Sequence, residues 1–138
     1  MVDPQSLDEI DVLTRTVYGE ARGESQDGQA AAVWVIRNRA AKGVAYMGRS
    51  IKEVCLKPKQ FSCWDANDVN RQRLVNLDTT SDVYQKIRRV VQEVMDGTRK
   101  DNTQGSTHYH TKSVKPGWTT GKSPVVTIGN HLFYNNID

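Results

Sequence analysis

In the stretch Tyr18-Gly19-Glu20-Ala21-Arg22-Gly23-Glu24 one helical pattern stops and another is about to begin. Upstream, Ile10, Leu13, Val17 and Ala21 recur at spacings of three and four, which puts one apolar stripe on a helix. Pro4 and Ser6 mark its start, and Ser6 with Glu9 three residues on has the form of a capping box. Gly23 stands where a C-terminal cap belongs. A second helix begins between Ser25 and Gly28 and runs through Ala30-Ala31-Ala32-Val33-Trp34-Val35-Ile36 to about Ala41. Its near-continuous apolar run predicts a helix buried on most sides.

Farther along, residues 43–79 are less periodic, with Gly43, Gly48, Pro58 and many Asn and Asp. They predict a short helix from Ser50 to Leu56 set in loop. From Ser81, the spacing of Val83, Ile87, Val90, Val91 and Val94 predicts a core-packing helix that ends at Gly97. Beyond it, Thr107-His108-Tyr109-His110-Thr111 and Val125-Val126-Thr127-Ile128 are strand candidates for a small antiparallel element. Helices first and strands last give an α+β fold, mainly helical, and no repeat or linker divides it. One domain over residues 1–138 is expected.

At 138 residues and 37% hydrophobic, the chain is long enough to bury roughly two-thirds of its unfolded surface without metal or disulfide staples. A net charge of +3, interspersed along the chain, excludes a dedicated nucleic-acid surface. No run approaches the ~18 apolar residues of a membrane helix, so stable membrane insertion is not expected. The N-terminus has neither a basic nor an apolar signal region. Synthesis in the cytoplasm is therefore expected, with release by another agent for any role outside it. Cys55 and Cys63 read as two ordinary thiols, or as a disulfide in an oxidising site.

Glu20 and Glu24 straddle the helix corner. In the last turn of a helix, Glu20 lies beside unpaired carbonyls and the negative end of the dipole, which disfavours its ionised form. Desolvation by Tyr18 and apolar neighbours acts in the same direction and suits a general acid working near neutral pH. Glu24 begins the next helix, where amide donors, the positive dipole end and Arg22 all favour charge. Two carboxylates whose pKa values are driven apart suit acid catalysis on a glycosidic bond. The same spacing is equally that of two ordinary surface charges.

Four ordered blocks go further. The corner stretch with Gly28, Ala31, Val33 and Asn38-Arg39 resembles the opening motif of the germination-type (SleB/CwlJ-like) cell-wall hydrolases. The resemblance continues through Gln60-Phe61-Ser62-Cys63-Trp64, Gly105-Ser106-Thr107-His108-Tyr109-His110 with Pro116-Gly117-Trp118, and Ile128-Gly129-Asn130-His131-Leu132-Phe133-Tyr134. It implies a peptidoglycan-cleaving glycosidase with a fold related to lysozymes and lytic transglycosylases, and it puts Glu20 in the position of the catalytic acid. No second carboxylate is generally required in such enzymes, because the sugar's own 6-hydroxyl can attack the anomeric carbon, and Glu24 becomes a supporting residue expected among the substrate contacts. A stand-alone, monomeric catalytic domain of this kind fits a phage-type endolysin.

Within these blocks Gln60, Tyr109, His110 and Trp118 are candidate substrate contacts, since sugar rings stack on aromatic faces while their hydroxyls take polar partners. Phe61 joins them by position, although core packing suits it better. His108, His110 and His131 supply enough nitrogen ligands for a metal, but a His-x-His pair with no accompanying motif better suits groove or structural histidines. Neither metal nor other cofactor is expected. Two alternatives to a glycosidase remain on the residues alone. One is an N-acetylmuramoyl-L-alanine amidase using Cys63 with His110 or His131, and the other is a non-catalytic peptidoglycan-binding module.

Overall fold

The protein is described by a computed structural model covering residues 3–137. Ser6 does not cap the first helix. It closes a 3-10 turn, Pro4–Ser6, with its hydroxyl donating to the Asp3 carbonyl. Asp8, directly ahead of the apolar run, caps helix α1 (Glu9–Ala21) by accepting from the Asp11 amide at 2.8 Å. Val12, Leu13 and Val17 are fully buried, and each contributes roughly 1.5–3 kcal/mol on leaving water. Arg15, on the same helix, is also buried. Its guanidinium donates to Asp11 at 2.7 Å and to the carbonyls of Leu74 and Leu77, while Tyr84 donates to the same Asp11 oxygen.

Helix α2 (Gln26–Lys42) begins at Ser25, whose hydroxyl accepts from the Gly28 amide, and stops at Gly43 in the left-handed conformation, φ 69°. As its apolar run predicts, it is buried on most sides. Ala30, Ala32, Val33 and Ile36 face the helical core, while Ala31 and Val35 face the sheet and meet Phe133. Helix α3 (Ile51–Leu56) matches the short helix expected there, with Ser50 as its cap.

The stretch expected to be loop holds a further helix, α4 (Val69–Val75). Only Leu74 and Val75 of it are buried and Val69 is 80% exposed, so no stripe announced it. In α5 (Asp82–Met95) Tyr84, not Val83, joins Ile87, Val90, Val91 and Val94 inside.

The C-terminal sheet has three antiparallel strands, not two. Strands β1 (His108–Thr111), β2 (Val126–Ile128) and β3 (His131–Tyr134) lie in the order β1-β3-β2. The last strand in the chain is the central one, and His131, Phe133 and Tyr134 are all buried. A central strand covered on both faces loses the alternation by which strands are read. The register sets Tyr109, Phe133 and His131 on one face, toward α2, and His108, His110 and Tyr134 on the other. The three histidines are therefore split between opposite faces of the sheet. No helix among the described residues is long and apolar enough to cross a membrane.

Gly19 lets the chain at Ser62–Trp64 approach α1, because a Cβ there would stand 2.8 Å from Cys63 Sγ and 3.1 Å from Leu74 Cδ2. Helix propensity alone favours Gly19→Ala by about 1 kcal/mol, whereas overpacking costs about 1–3 kcal/mol. A lower midpoint of urea unfolding is expected for this variant. A higher midpoint would mean that the Cys63 segment yields without strain.

Candidate active site

Glu20 occupies the last turn of α1 and opens into a groove of about 370 Å³. Tyr109 comes from β1 on the facing layer, and its hydroxyl donates to Glu20 Oε1 at 3.2 Å. The Cys63 thiol reaches the same carboxyl through the space left by Gly19. Burial raises the Glu20 pKa, opposed by the Tyr109 and Cys63 hydrogen bonds and by the charges of His131 and Arg39. The direction is the one expected from the sequence. The cause, however, is burial beneath the sheet, while Tyr18 instead carries the Arg22 guanidinium 5.1 Å above its ring.

The neighbours are tuned in turn. Burial, and then the Glu20 charge, hold the Tyr109 phenol well above its usual range, so it remains a donor. Arg39 is buried in α2, with its guanidinium 5.4 Å over the Phe61 ring, and its Nε donates to the Thr107 carbonyl at 2.5 Å. Asn38 donates to the Ser106 carbonyl at 3.0 Å, so consecutive residues of α2 pin the start of β1. That anchoring sets the height of Tyr109 over Glu20. His108, on the far face, is pushed down to about 4 by burial and by the charges of Arg39 and Lys42.

Of the residues singled out in the sequence, Glu20, Gln60, Phe61, Tyr109 and His110 line the groove. Gln60 also uses its amide nitrogen to hold the Met47 and Val54 carbonyls at 2.7 and 2.9 Å. Phe61 is buried and forms wall beneath Arg39. Trp118 is not among the lining residues. Its ring packs edge-on against His108, His110 and Tyr134 at 5.1, 5.7 and 5.1 Å, buttressing the outer sheet face.

His131, for which a groove role was one reading of the histidines, lines the groove as well, and so does Arg39, which was not singled out as a substrate contact. A buried arginine inside an apolar helical run was the available signal for Arg39. Among the described residues no group of histidine, cysteine and carboxylate side chains forms a metal cluster, in keeping with the split of the histidines across the sheet.

Glu24 does not enter the groove. Nor is Arg22 its partner: Oε1 accepts from the Asn130 amide at 3.2 Å and stands 3.4 Å from His131 Nδ1. These residues follow Gly129, the left-handed position (φ 58°) of the β2–β3 turn, where a Cβ would meet Glu24 Oε1 at 2.5 Å. A carboxylate at the start of α2 thus clasps the hairpin, and the clasped His131 packs edge-on against Tyr109 at 5.1 Å. Removing the carboxylate leaves the amide and the imidazole without it. Glu24→Ala is expected to destabilise the protein by about 2 kcal/mol and to speed amide exchange at Asn130 and Leu132. Unchanged exchange there would show that the clasp does not hold the turn.

Comparison with known proteins agrees with this architecture. The spore cortex-lytic enzyme of Halalkalibacterium halodurans is 29% identical over 131 residues, 94% of this chain but 36% of that protein. The catalytic domain of the Bacillus cereus SleB protein superposes with a TM-score of 0.71 at 24% identity, covering 91% of this chain and 88% of that one. The catalytic domain of the germination-specific lytic transglycosylase SleB from Bacillus anthracis gives the same score and identity, covering 95% and 98%. At that identity the likeness is one of fold, a helical body with a small C-terminal antiparallel sheet. A family model described as Cell Wall Hydrolase matches residues 23–134, a stretch that opens at Gly23, just past Glu20. With most of its length matched, the chain belongs to the cell wall hydrolase family.

Proposed function

We propose that this protein cuts the glycan strand of peptidoglycan as a lytic transglycosylase, with Glu20 as both general acid and general base. The observation that carries this is that, among the described residues lining the groove, Glu20 is the one carboxylate. A retaining hydrolase needs a nucleophilic carboxylate about 5–5.5 Å from the acid, and an inverting one needs a base about 6.5–9.5 Å away. The other carboxylate of the corner, Glu24, is engaged with the hairpin turn.

With a single carboxyl group, the protonated Glu20 gives its proton to the departing glycosidic oxygen. The resulting carboxylate accepts the proton of the muramyl 6-hydroxyl as that oxygen attacks the anomeric carbon, leaving a 1,6-anhydro end. Tyr109 holds Oε1 from one side, and the Arg39 charge offsets the negative charge that Glu20 gains once its proton has left.

The surroundings of Cys63 weigh against the amidase reading. Burial and the adjacent Glu20 push the Cys63 thiol far up, the opposite of what a reactive thiolate requires. As for a module that binds without cutting, the raised pKa of Glu20 favours catalysis.

Glu20→Gln is expected to lower muropeptide release at least a hundredfold. Mass spectrometry of the products of the unaltered protein is expected to find anhydro ends. Reducing ends would make the protein a hydrolase, and equal clearing by Glu20→Gln would remove Glu20 from the chemistry.

Activity should fall as pH rises through the Glu20 pKa, which lies above the ordinary 4.5. Stability has the same sign. Folded Glu20 holds its proton more tightly than the unfolded chain does, so its stabilising effect is full below pH 4.5 and is lost as pH rises through the folded pKa. Glu20→Gln, neutral at every pH, should therefore melt higher than the parent at pH 7 while matching it more closely at pH 4. A lower melting temperature at pH 7 would contradict the buried-carboxyl account.

A further inference from the structure

Between Asn102 and Ile137 the sequence contains Lys112, Lys115 and Lys122 and not one Asp or Glu, whereas acidic and basic residues balance over the rest of the chain. The whole net charge of +3 therefore sits on the segment that builds the sheet and its loops. The fold gathers these lysines around one depression of about 400 Å³. His110 and Val114 line this depression and the Glu20 groove alike, so the two share a wall. All three lysines are exposed, and no carboxylate of the described residues lies within ion-pair distance of any of them. Three like charges around one hollow leave a positive potential that an anion would neutralise.

We propose that this depression is a subsite for the carboxylates of the peptide stem on the muramyl residue at the cleaved bond. The proposal rests on the glycan cleavage inferred above and adds to it a preference for peptide-bearing strands. The stem leaves the strand from the lactyl group of the muramyl sugar. Seating that sugar against Glu20 therefore brings the stem's carboxylates out beside the groove, where the lysines stand. Compact, mobile ammonium groups suit carboxylates on a flexible chain better than a rigid fork would. A wall phosphate polymer is the other anionic source. It joins the strand through the muramyl 6-oxygen, which the inferred reaction requires as a free hydroxyl at the reacting sugar.

The test compares three substrates: intact peptidoglycan, peptidoglycan freed of phosphate polymers, and the latter with its stem peptides removed by an amidase. The protein is expected to cut the first two at similar rates and the peptide-free strands about tenfold more slowly. The combined variant Lys112→Ala, Lys115→Ala, Lys122→Ala should cut the peptide-bearing forms about tenfold more slowly than the parent and no longer distinguish them from bare strands. A triple variant that keeps the preference, a parent protein that shows none, or a loss of rate that accompanies phosphate removal would each overturn the subsite. Sedimentation of the Glu20→Gln protein with the same three substrates reads the preference as binding. If no substrate is cut, the reaction falls while the sedimentation still decides the subsite.

Discussion

The hydrogen bond from Tyr109 to Glu20 joins the two layers of the protein at the point where the proposed chemistry takes place. Tyr109 sits on β1, an edge strand of only four residues, and an edge strand by itself would not hold a phenol in place. It is held from three directions. Asn38 and Arg39 fasten the carbonyls of Ser106 and Thr107 at the start of the strand. Phe133, from the central strand, stacks beside its ring at 5.5 Å. His131 packs against the ring edge and is itself held by Glu24. The hairpin, the corner and the long buried helix all act on the position of one hydroxyl group.

Its effect on Glu20 is opposed by the burial that accompanies it. Donation from Tyr109 favours the ionised carboxylate, whereas the wall that Tyr109 helps to build removes water and favours the acid. Burial is the larger effect, so the balance leaves a raised pKa and a donor still in place when the proton is given up. A carboxyl buried with no donors would hold its proton too firmly to give it away. One exposed to water would ionise before the groove was filled. The arrangement lies between these limits because the hydrogen bonds from Tyr109 and Cys63, and to a smaller extent the nearby His131 and Arg39, oppose the burial.

Much of this was legible where chemistry is carried by short-range pattern. The α2 apolar run and the helix starts at Ser25, Ser50 and Ser81, where the structure finds serine caps, each specify a local state that the tertiary structure leaves intact. The misses share a different cause. Helix α4 shows no stripe because its buried residues cluster at one end. Strand β3 shows no alternation because it is covered on both faces. Trp118, though set among polar residues, packs on the outer face against His108, His110 and Tyr134, which the strand register turns away from Tyr109. The buried Arg15 binds carbonyls at the end of α4 and lies 5.7 Å over the ring of Tyr84 near the start of α5, a task that only their meeting creates.

The corner contains two glutamates one helical turn apart in sequence, and position alone separates their fates. Glu20 ends a helix and is covered by the sheet, so its surroundings favour the proton. Glu24 lies just beyond, at the entry to α2, where Gly28 leaves room for its Cβ and Gly129 leaves room for its carboxylate. Both glycines stand against this one side chain, and at Gly129 the positive φ independently excludes most alternatives. A motif that reads as a pair of acids thus has only one member facing the groove. The second acid places the histidine that packs on the tyrosine that holds the first, and so it acts on Glu20 through the sheet while remaining outside the groove.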